Sequence, residues 1–153
     1  GHIVTRGLEA VYNGYHLWLP GLDLSASVTY ADSTIRENAG FVSTPGDTLG
    51  KRQPNIPRWR ATLLAAYRWS PEWSSTVAVR HSGQQFNTLN NSDTNGYAYM
   101  GVSAFTTVDV RARWQIDKRW TAAFGIDNLT NQTYWNFHPY PQRSYTVELK
   151  ARF

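Results

Sequence analysis

The last ten residues, Ser144 to Phe153, alternate without a break: Tyr145, Val147, Leu149, Ala151 and Phe153 on one parity, Thr146, Glu148, Lys150 and Arg152 on the other. Successive strand side chains point to opposite faces, so this stretch makes a strand with one wholly apolar and one charged face, whereas a helix would mix the two sets. Such a strand is either a lid on a soluble core or a wall between lipid and water. Standing alone it would read as one strand of a soluble sheet, but the pattern recurs along the chain.

Ile3 to Tyr12 alternates moderately well, and Leu22 to Tyr30 alternates cleanly. From Ala31 to Pro57 the pattern dissolves into Gly, Pro and polar residues and reads as a loop. Trp59, Ala61, Leu63, Ala65, Tyr67 and Trp69 then face one way, with Arg58, Arg60, Thr62 and Arg68 facing the other. Ser70-Pro71-Glu72 turns tightly into a strand starting at Trp73 and running to Arg80, with room to continue past His81 and Gln85. After a polar stretch, Asn87 to Ala104, come strands from Val108 to Ile116 and from Trp120 to Asp127, joined by Asp117-Lys118-Arg119. A third long stretch, Leu129 to Arg143, leads to the final strand.

About seven strands therefore alternate short and long connections. This is the signature of an all-β, antiparallel up-and-down transmembrane barrel, whose strands need roughly 9–11 residues each. Trp69, Trp73, Trp114 and Trp120 all border short turns, where an aromatic girdle sits at a membrane interface. On the opposite parity stand Arg58, Arg60, Asp109, Arg111 and Arg113, with Arg68, Arg80, Glu148, Lys150 and Arg152. Charges of that density cannot share a dry core, so the consistent arrangement is apolar parity to lipid and charged parity to a wet lumen. Lipid tolerates no open sheet edge, and seven strands leave two, so further strands are expected to complete the barrel.

Composition removes other classes. No run of about 18 apolar residues provides a transmembrane helix, though barrel strands do not need one. Cysteine is absent, excluding disulfides and thiolate chemistry. The net charge of +4 comes from dispersed basic residues, which argues against a nucleic-acid partner. No phosphate loop, nucleophile elbow, HExxH motif or paired-carboxylate arrangement supports an enzyme or a cofactor, and His2, His16, His81 and His138 lack metal-ligand spacing. Two alternatives stay open: a soluble β-sandwich carbohydrate-binding module, and a smaller barrel acting as a passive porin or structural outer-membrane protein.

Gly125 to Trp135 (GIDNLTNQTYW), His138 to Arg143 (HPYPQR) and the closing YTVELKARF together resemble the end of a TonB-dependent outer-membrane receptor of the siderophore-receptor type. Asn128, Leu129, Asn131, Tyr134, Pro141, Arg143 and Phe153 match that pattern in order, with Gln142 in place of the commoner Gly. RGLEA at Arg6, NIPRWR at Asn55 and VDVRAR at Val108 resemble family strands in the same order. The resemblance implies that residues 1–153 form the C-terminal portion of a 22-stranded barrel in the bacterial outer membrane, without plug domain or TonB box. A first residue already in strand pattern, Gly1 with no initiator Met, agrees with a piece of a longer protein.

The function implied is uptake of a metal chelate, most often a ferric siderophore, energised by the TonB complex. Expected partners are outer-membrane lipid, the chelate, the plug of the same protein, the TonB complex through the missing N-terminal part, and the barrel assembly machinery, which would read Phe153. The long loops would be extracellular, and their ligand-binding candidates are Tyr97, Tyr99, Trp135, His138, Tyr140 and Arg143, because aromatic faces and guanidinium forks suit an anionic chelate. The lumenal arginines would attract that anion or pair with the plug.

Overall fold

The computed structural model describes residues Gly1–Phe153. Its main sheet has seven antiparallel strands in sequence order: β1 (His2–Gly14), β2 (Leu22–Glu37), β3 (Trp59–Arg68), β4 (Trp73–Ser82), β5 (Phe105–Gln115), β6 (Trp120–Asp127) and β9 (Ser144–Ala151). A small hairpin, β7 (Trp135–Asn136) with β8 (His138–Pro139), lies inside the third long connection, and a single 3-10 turn covers Pro45–Thr48. The sheet is an open meander with β1 and β9 at its edges.

The register carries the parity argument across every strand pair. Leu149 opposes Ala122, which opposes Trp114, which opposes Trp73; Val147, Phe124, Ala112, Ser75 and Tyr67 form the next row, and Val77, Ala65 and Leu24 continue the row of Val110. A slip of one residue in any pair would send charge to the apolar side, so the rows agree only because each strand keeps the same face. Nothing in the chain covers that face: Leu8, Val147 and Leu149 are 80%, 80% and 63% exposed. A soluble sandwich would bury it, whereas a lipid-facing wall leaves it bare.

Two aromatic bands bound the apolar rows. On the short-turn side Trp73 and Trp114 stack with ring centroids 5.2 Å apart, Tyr67 meets Trp69 edge-on at 4.6 Å, and the Trp69 indole N–H donates to the Ser75 hydroxyl at 2.8 Å. Trp120, opposite Ala151, continues this band. The sequence reading missed the second band, on the long-loop side, where Tyr30 and Trp59 lie 4.8 Å apart. From Trp59 to Trp69 is ten residues, which at about 3.3 Å per residue and a tilt of roughly 40° spans about 25 Å, the height of a barrel's apolar belt.

Several boundaries differ from the sequence reading; β1 runs on from Tyr12 to Gly14, whose partner is Leu24. β2 continues past Tyr30 to Glu37, because Ser33 and Ile35 pair with β1 on one side and with residues 51–53 on the other, so this part of the polar segment is strand and not loop. β5 starts at Phe105, three residues early, where Phe105 to Thr107 pair with Arg80 to Ser82. β9 ends at Ala151, since Trp120 is the last partner that β6 offers; Arg152 still donates its N–H to the Arg119 carbonyl, and Phe153 is fully exposed beyond it.

Candidate functional site

The polar face of the wall is organised by ion pairs between neighbouring strands. Arg80 on β4 bonds Asp109 on β5 at 3.0 Å, Arg111 bonds Asp127 on β6 at 2.6 Å, and Arg68 reaches Asp23 at 3.4 Å. Arg111 lies flat across the sheet because its partner across the strands is Gly125: a Cβ there would stand 2.6 Å from the Arg111 Cδ and Nη1. Arg113 donates to the Gln115 side-chain oxygen at 2.8 Å, and Arg60 sits on the same face opposite Ser82. Arg58 stands apart from this set. It lies in the bend before β3, and its guanidinium bonds Asp32 at 3.2 Å, a residue in the column of Tyr30 on the apolar parity. Pro57 breaks the strand there, so parity no longer predicts where Arg58 points.

Above the Arg80–Asp109 pair is a cavity of about 250 Å³ lined by Arg80, Asp109, Asp127, Asn128, Tyr134 and Tyr140. Its ceiling is the third long loop, and one turn holds that loop. The Asp109 carboxylate accepts the Asn128 N–H at 2.8 Å while it binds Arg80. Asn128 then brackets Gln132: its amide donates to the Gln132 carbonyl at 2.8 Å, and its oxygen accepts the Gln132 N–H at 2.9 Å. Asn128 and Asn131 adopt φ of 51° and 54°, which Asn tolerates better than most residues. The turn delivers Tyr134, buried between Phe105 at 4.6 Å and Tyr140 at 5.0 Å. Burial pushes the Tyr134 phenol above its ordinary value.

The loop candidates fall into two groups. Trp135, on β7, meets Tyr99 edge-on at 5.4 Å, and His138, on β8, stacks on Tyr140 at 6.2 Å, so these four residues share the rim of the third loop. Tyr97 and Arg143 stand apart. Tyr97 is about half exposed at the tip of the second loop, where its N–H donates to the Asn95 side chain; Arg143 is fixed only through its backbone N–H to Asn131. The histidines gather around no common point, and no group of three or more His, Cys, Asp or Glu could hold a metal ion. Asn128, Tyr134 and Asp109 position this rim; the sequence reading placed Asp109 among the lumenal charges and gave Asn128 and Tyr134 no site role, for which the N-x-x-x-Q spacing that brackets the turn was the available signal.

The three long loops are laced together. Met100 and Phe137 exchange backbone bonds through the Phe137 and Gly101 carbonyls at 2.8 and 2.9 Å, and Ser103 and Trp135 do the same at 3.0 and 2.9 Å, the Ser103 hydroxyl accepting the second. Val102 between them is buried. On the other side Arg52 and Asn91 bond reciprocally: the Arg52 N–H donates to the Asn91 side chain at 2.8 Å, and the Asn91 amide donates to the Arg52 carbonyl at 2.9 Å. Asn55 adds a bond to the Phe86 carbonyl at 2.8 Å. Asp93 closes the neighbouring turn: burial opposes its charge, but the Thr88 hydroxyl and the Asn87 and Thr88 N–H groups outweigh it and hold the carboxyl below its ordinary value. The wall thus extends beyond the apolar belt as a connected rim, open toward the cavity.

Residues 1–129 match the model of the TonB dependent receptor-like β-barrel family. A probable TonB-dependent siderophore receptor, PiuA, of Acinetobacter baumannii is 24% identical over 137 residues, 83% of this chain and 18% of that protein. The metal-pseudopaline receptor CntO of Pseudomonas aeruginosa is 24% identical over 144 residues, 88% of this chain and again 18% of that protein. The crystal structure of BauA, the ferric preacinetobactin receptor of Acinetobacter baumannii, superposes with a TM-score of 0.71 at 21% identity over 96% of this chain and 22% of that one. This chain spans 18% of the length of the two curated relatives, and the likeness to BauA shows the fold alone.

Proposed function

Because this chain belongs to the TonB-dependent receptor-like β-barrel family of the bacterial outer membrane, we propose that it supplies wall and extracellular loops to a receptor that takes up a metal chelate, a ferric siderophore first among them. Residues 1–153 form the C-terminal part of that receptor's barrel, with plug and TonB box in other parts of the full-length protein, and TonB supplies the energy. The apolar face meets lipid, the polar face lines the lumen, the long loops face the outside and the short turns the periplasm. That two relatives are named as siderophore and metal-pseudopaline receptors supports this substrate class.

The cavity between the Arg80–Asp109 pair and the third loop is the observation that carries the reading. It joins the Arg80–Asp109 pair, the Asp127 carboxylate, the Tyr134 phenol and the exposed ring of Tyr140, with the His138 ring stacked on Tyr140 beside it, at the mouth of the lumen. A chelate with flat ligand arms is bound by such a set through ring contact with Tyr140 and His138 and through hydrogen bonds to Arg80, Tyr134 and the two carboxylates. Arg111 and Arg113, lower on the wall, would face the plug, and Arg60, beside the outer aromatic band, would face the lumen near its mouth. Phe153, free beyond β9, would be the residue that the barrel assembly machinery reads.

The test uses the full-length receptor as the only chelate route in a metal-starved strain, with uptake of radiolabelled ferric siderophores of catecholate, hydroxamate and carboxylate type. Uptake of at least one, abolished without TonB and weakened in affinity by Tyr140→Ala at unchanged receptor abundance, is expected. Uptake of none, or uptake indifferent to TonB, refutes the reading.

A further inference from the structure

The arginines of the polar face promise an attraction for anions, but at the cavity under the third loop that charge is already matched. Arg80 is the one guanidinium in the cavity lining, and Asp109 holds it at 3.0 Å. Asp127 is the second carboxylate of the lining. Its Oδ1 accepts from Arg111 at 2.6 Å and keeps that guanidinium flat against the sheet, outside the lining. Arg111 can lie there because Gly125, its register partner, places no Cβ in its path. Arg60 and Arg143 form no ion pair, but neither lines the cavity. The lining therefore sets two carboxylates against one guanidinium.

The hydrogen-bonding capacity left over is that of acceptors. Both Asp109 oxygens are taken, one by the Asn128 N–H and one by Arg80. Asp127 gives only one oxygen to Arg111 and keeps the other free. Gln142 donates its amide to Thr133 at 2.8 Å and keeps its carbonyl oxygen free. A ligand that brings N–H donors and no negative charge meets its complement here, whereas an anion meets two carboxylates and no unpaired cation.

Ferric chelates divide along that line. Each catecholate is a dianion and each hydroxamate a monoanion, so three of them around a ferric ion leave three negative charges in the first case and none in the second. Trihydroxamates also carry amide N–H groups, and some carry an ammonium. We propose that this cavity selects ferric trihydroxamates over anionic chelates, with Asp127 as the selecting residue: its free oxygen accepts from an amide or ammonium of the ligand, and its charge, with its hold on Arg111, turns anions away. The selection rests on the receptor reading given under the proposed function and names the substrate class within it.

The test uses the full-length receptor in dodecyl maltoside and measures retention of radiolabelled cationic ferrioxamine B, neutral ferrichrome, trianionic ferric enterobactin and anionic ferric citrate, with uptake of the same four by cells. Each variant is first shown to be folded by its heat-modifiable gel migration. The wild type binds ferrioxamine B and ferrichrome more tightly than the two anions. Asp127→Asn lessens the preference for ferrioxamine B over ferric enterobactin about tenfold. Each unit of ligand charge meets roughly a twofold change at about 8 Å in water, and salt screens part of the compounded effect. Asp127→Glu keeps the preference, and Arg111→Gln, which leaves Asp127 unpaired, strengthens it. Opposite shifts from the two partners of one ion pair are a signature that mere loss of structure does not give. A wild type that prefers either anion, or Asp127→Asn and Arg111→Gln variants that leave the preference unmoved or move it the same way, overturns the charge selection and leaves the receptor reading standing. No TonB-dependent uptake of any of the four overturns the receptor reading and the selection with it.

Discussion

Replacing Asp109 by Ala should release the third loop from the wall. In the structure one oxygen of Asp109 accepts the Asn128 N–H at 2.8 Å and the other binds Arg80 at 3.0 Å. The two losses differ in size. Arg80 is 53% exposed and regains water when its partner leaves, so that pair is worth at most about 1 kcal/mol. Asn128 is 4% exposed, and a buried N–H left without an acceptor costs about 1–3 kcal/mol. The turn that carries Tyr134 should therefore weaken by about 2 kcal/mol, a roughly 30-fold rise in local opening. Hydrogen exchange on the full-length receptor in micelles reads this directly: amides from 128 to 134 lose protection in Asp109→Ala while those of β3 and β4 keep theirs. Asp109→Asn preserves an acceptor for Asn128 and gives up only the charge, so it should lose less than half as much. Unchanged protection in Asp109→Ala refutes the anchoring role, and an Asn variant as loose as the Ala variant would mean that the ion pair, not the bond to Asn128, holds the turn.

Val77→Arg places a charge in the middle rows of the apolar face, opposite Val110 and Ala65, and should cost about 2–4 kcal/mol in folding into bilayers, whereas Thr76→Arg on the polar face should cost under about 1; equal costs would deny the facing of the sheet. Gly125→Ala should displace Arg111 and forfeit its half-exposed pair with Asp127, about 1 kcal/mol in urea unfolding, and should add nothing to an Asp127→Asn background. The Asp93 carboxyl is held below its ordinary value in the fold, so its contribution is full above the unfolded carboxylate pKa and is lost as pH falls through the lowered folded value. Protease cleavage between 87 and 96 should thus rise only below about pH 4, and in Asp93→Asn it should be high at every pH, with pH-independent cleavage in the wild type arguing against the role.

The wall was legible in the sequence because a single periodicity encodes it. Each strand needs only the right parity, and alternation from Leu22 to Tyr30 or from Ser144 to Ala151 states that parity residue by residue. The continuation of β2 was hidden for the same reason. At Asp32 and Thr34 the outward face has left the apolar belt and no longer needs to be apolar, so alternation stops while pairing goes on. Arg58 shows the limit from the other direction, where one proline detaches the side chain from its expected face. Of the rim, the aromatic residues Tyr99, Trp135, His138 and Tyr140 were legible but the bonds that lace it were not, since Arg52 with Asn91 and Asn128 with Gln132 are partnerships of particular atoms that no alternation announces.

That contrast bears on the receptor function proposed for this barrel. Wall positions tolerate exchange within a polarity class, because lipid and lumen ask only for apolar and polar. Rim positions are less free, because the Arg52–Asn91 and Ser103–Trp135 seams each depend on one side-chain amide or hydroxyl, and Asn91, Met100 and Phe137 hold their seams at φ of 54°, 68° and 65°. Strain of that kind persists only where the surrounding bonds over-determine the conformation, and the reciprocal Arg52–Asn91 pair and the two bonds of Phe137 to Met100 and Gly101 supply that excess. The second loop is therefore held on both flanks, and the freedom left to the mouth lies in the exposed tips that carry Phe41, Tyr97 and Tyr99. On the proposed function, a ligand entering such a mouth would order a few tip side chains and not three whole loops, which would lower the entropic cost of capture and leave selectivity to the tips and to the cavity beneath Tyr134.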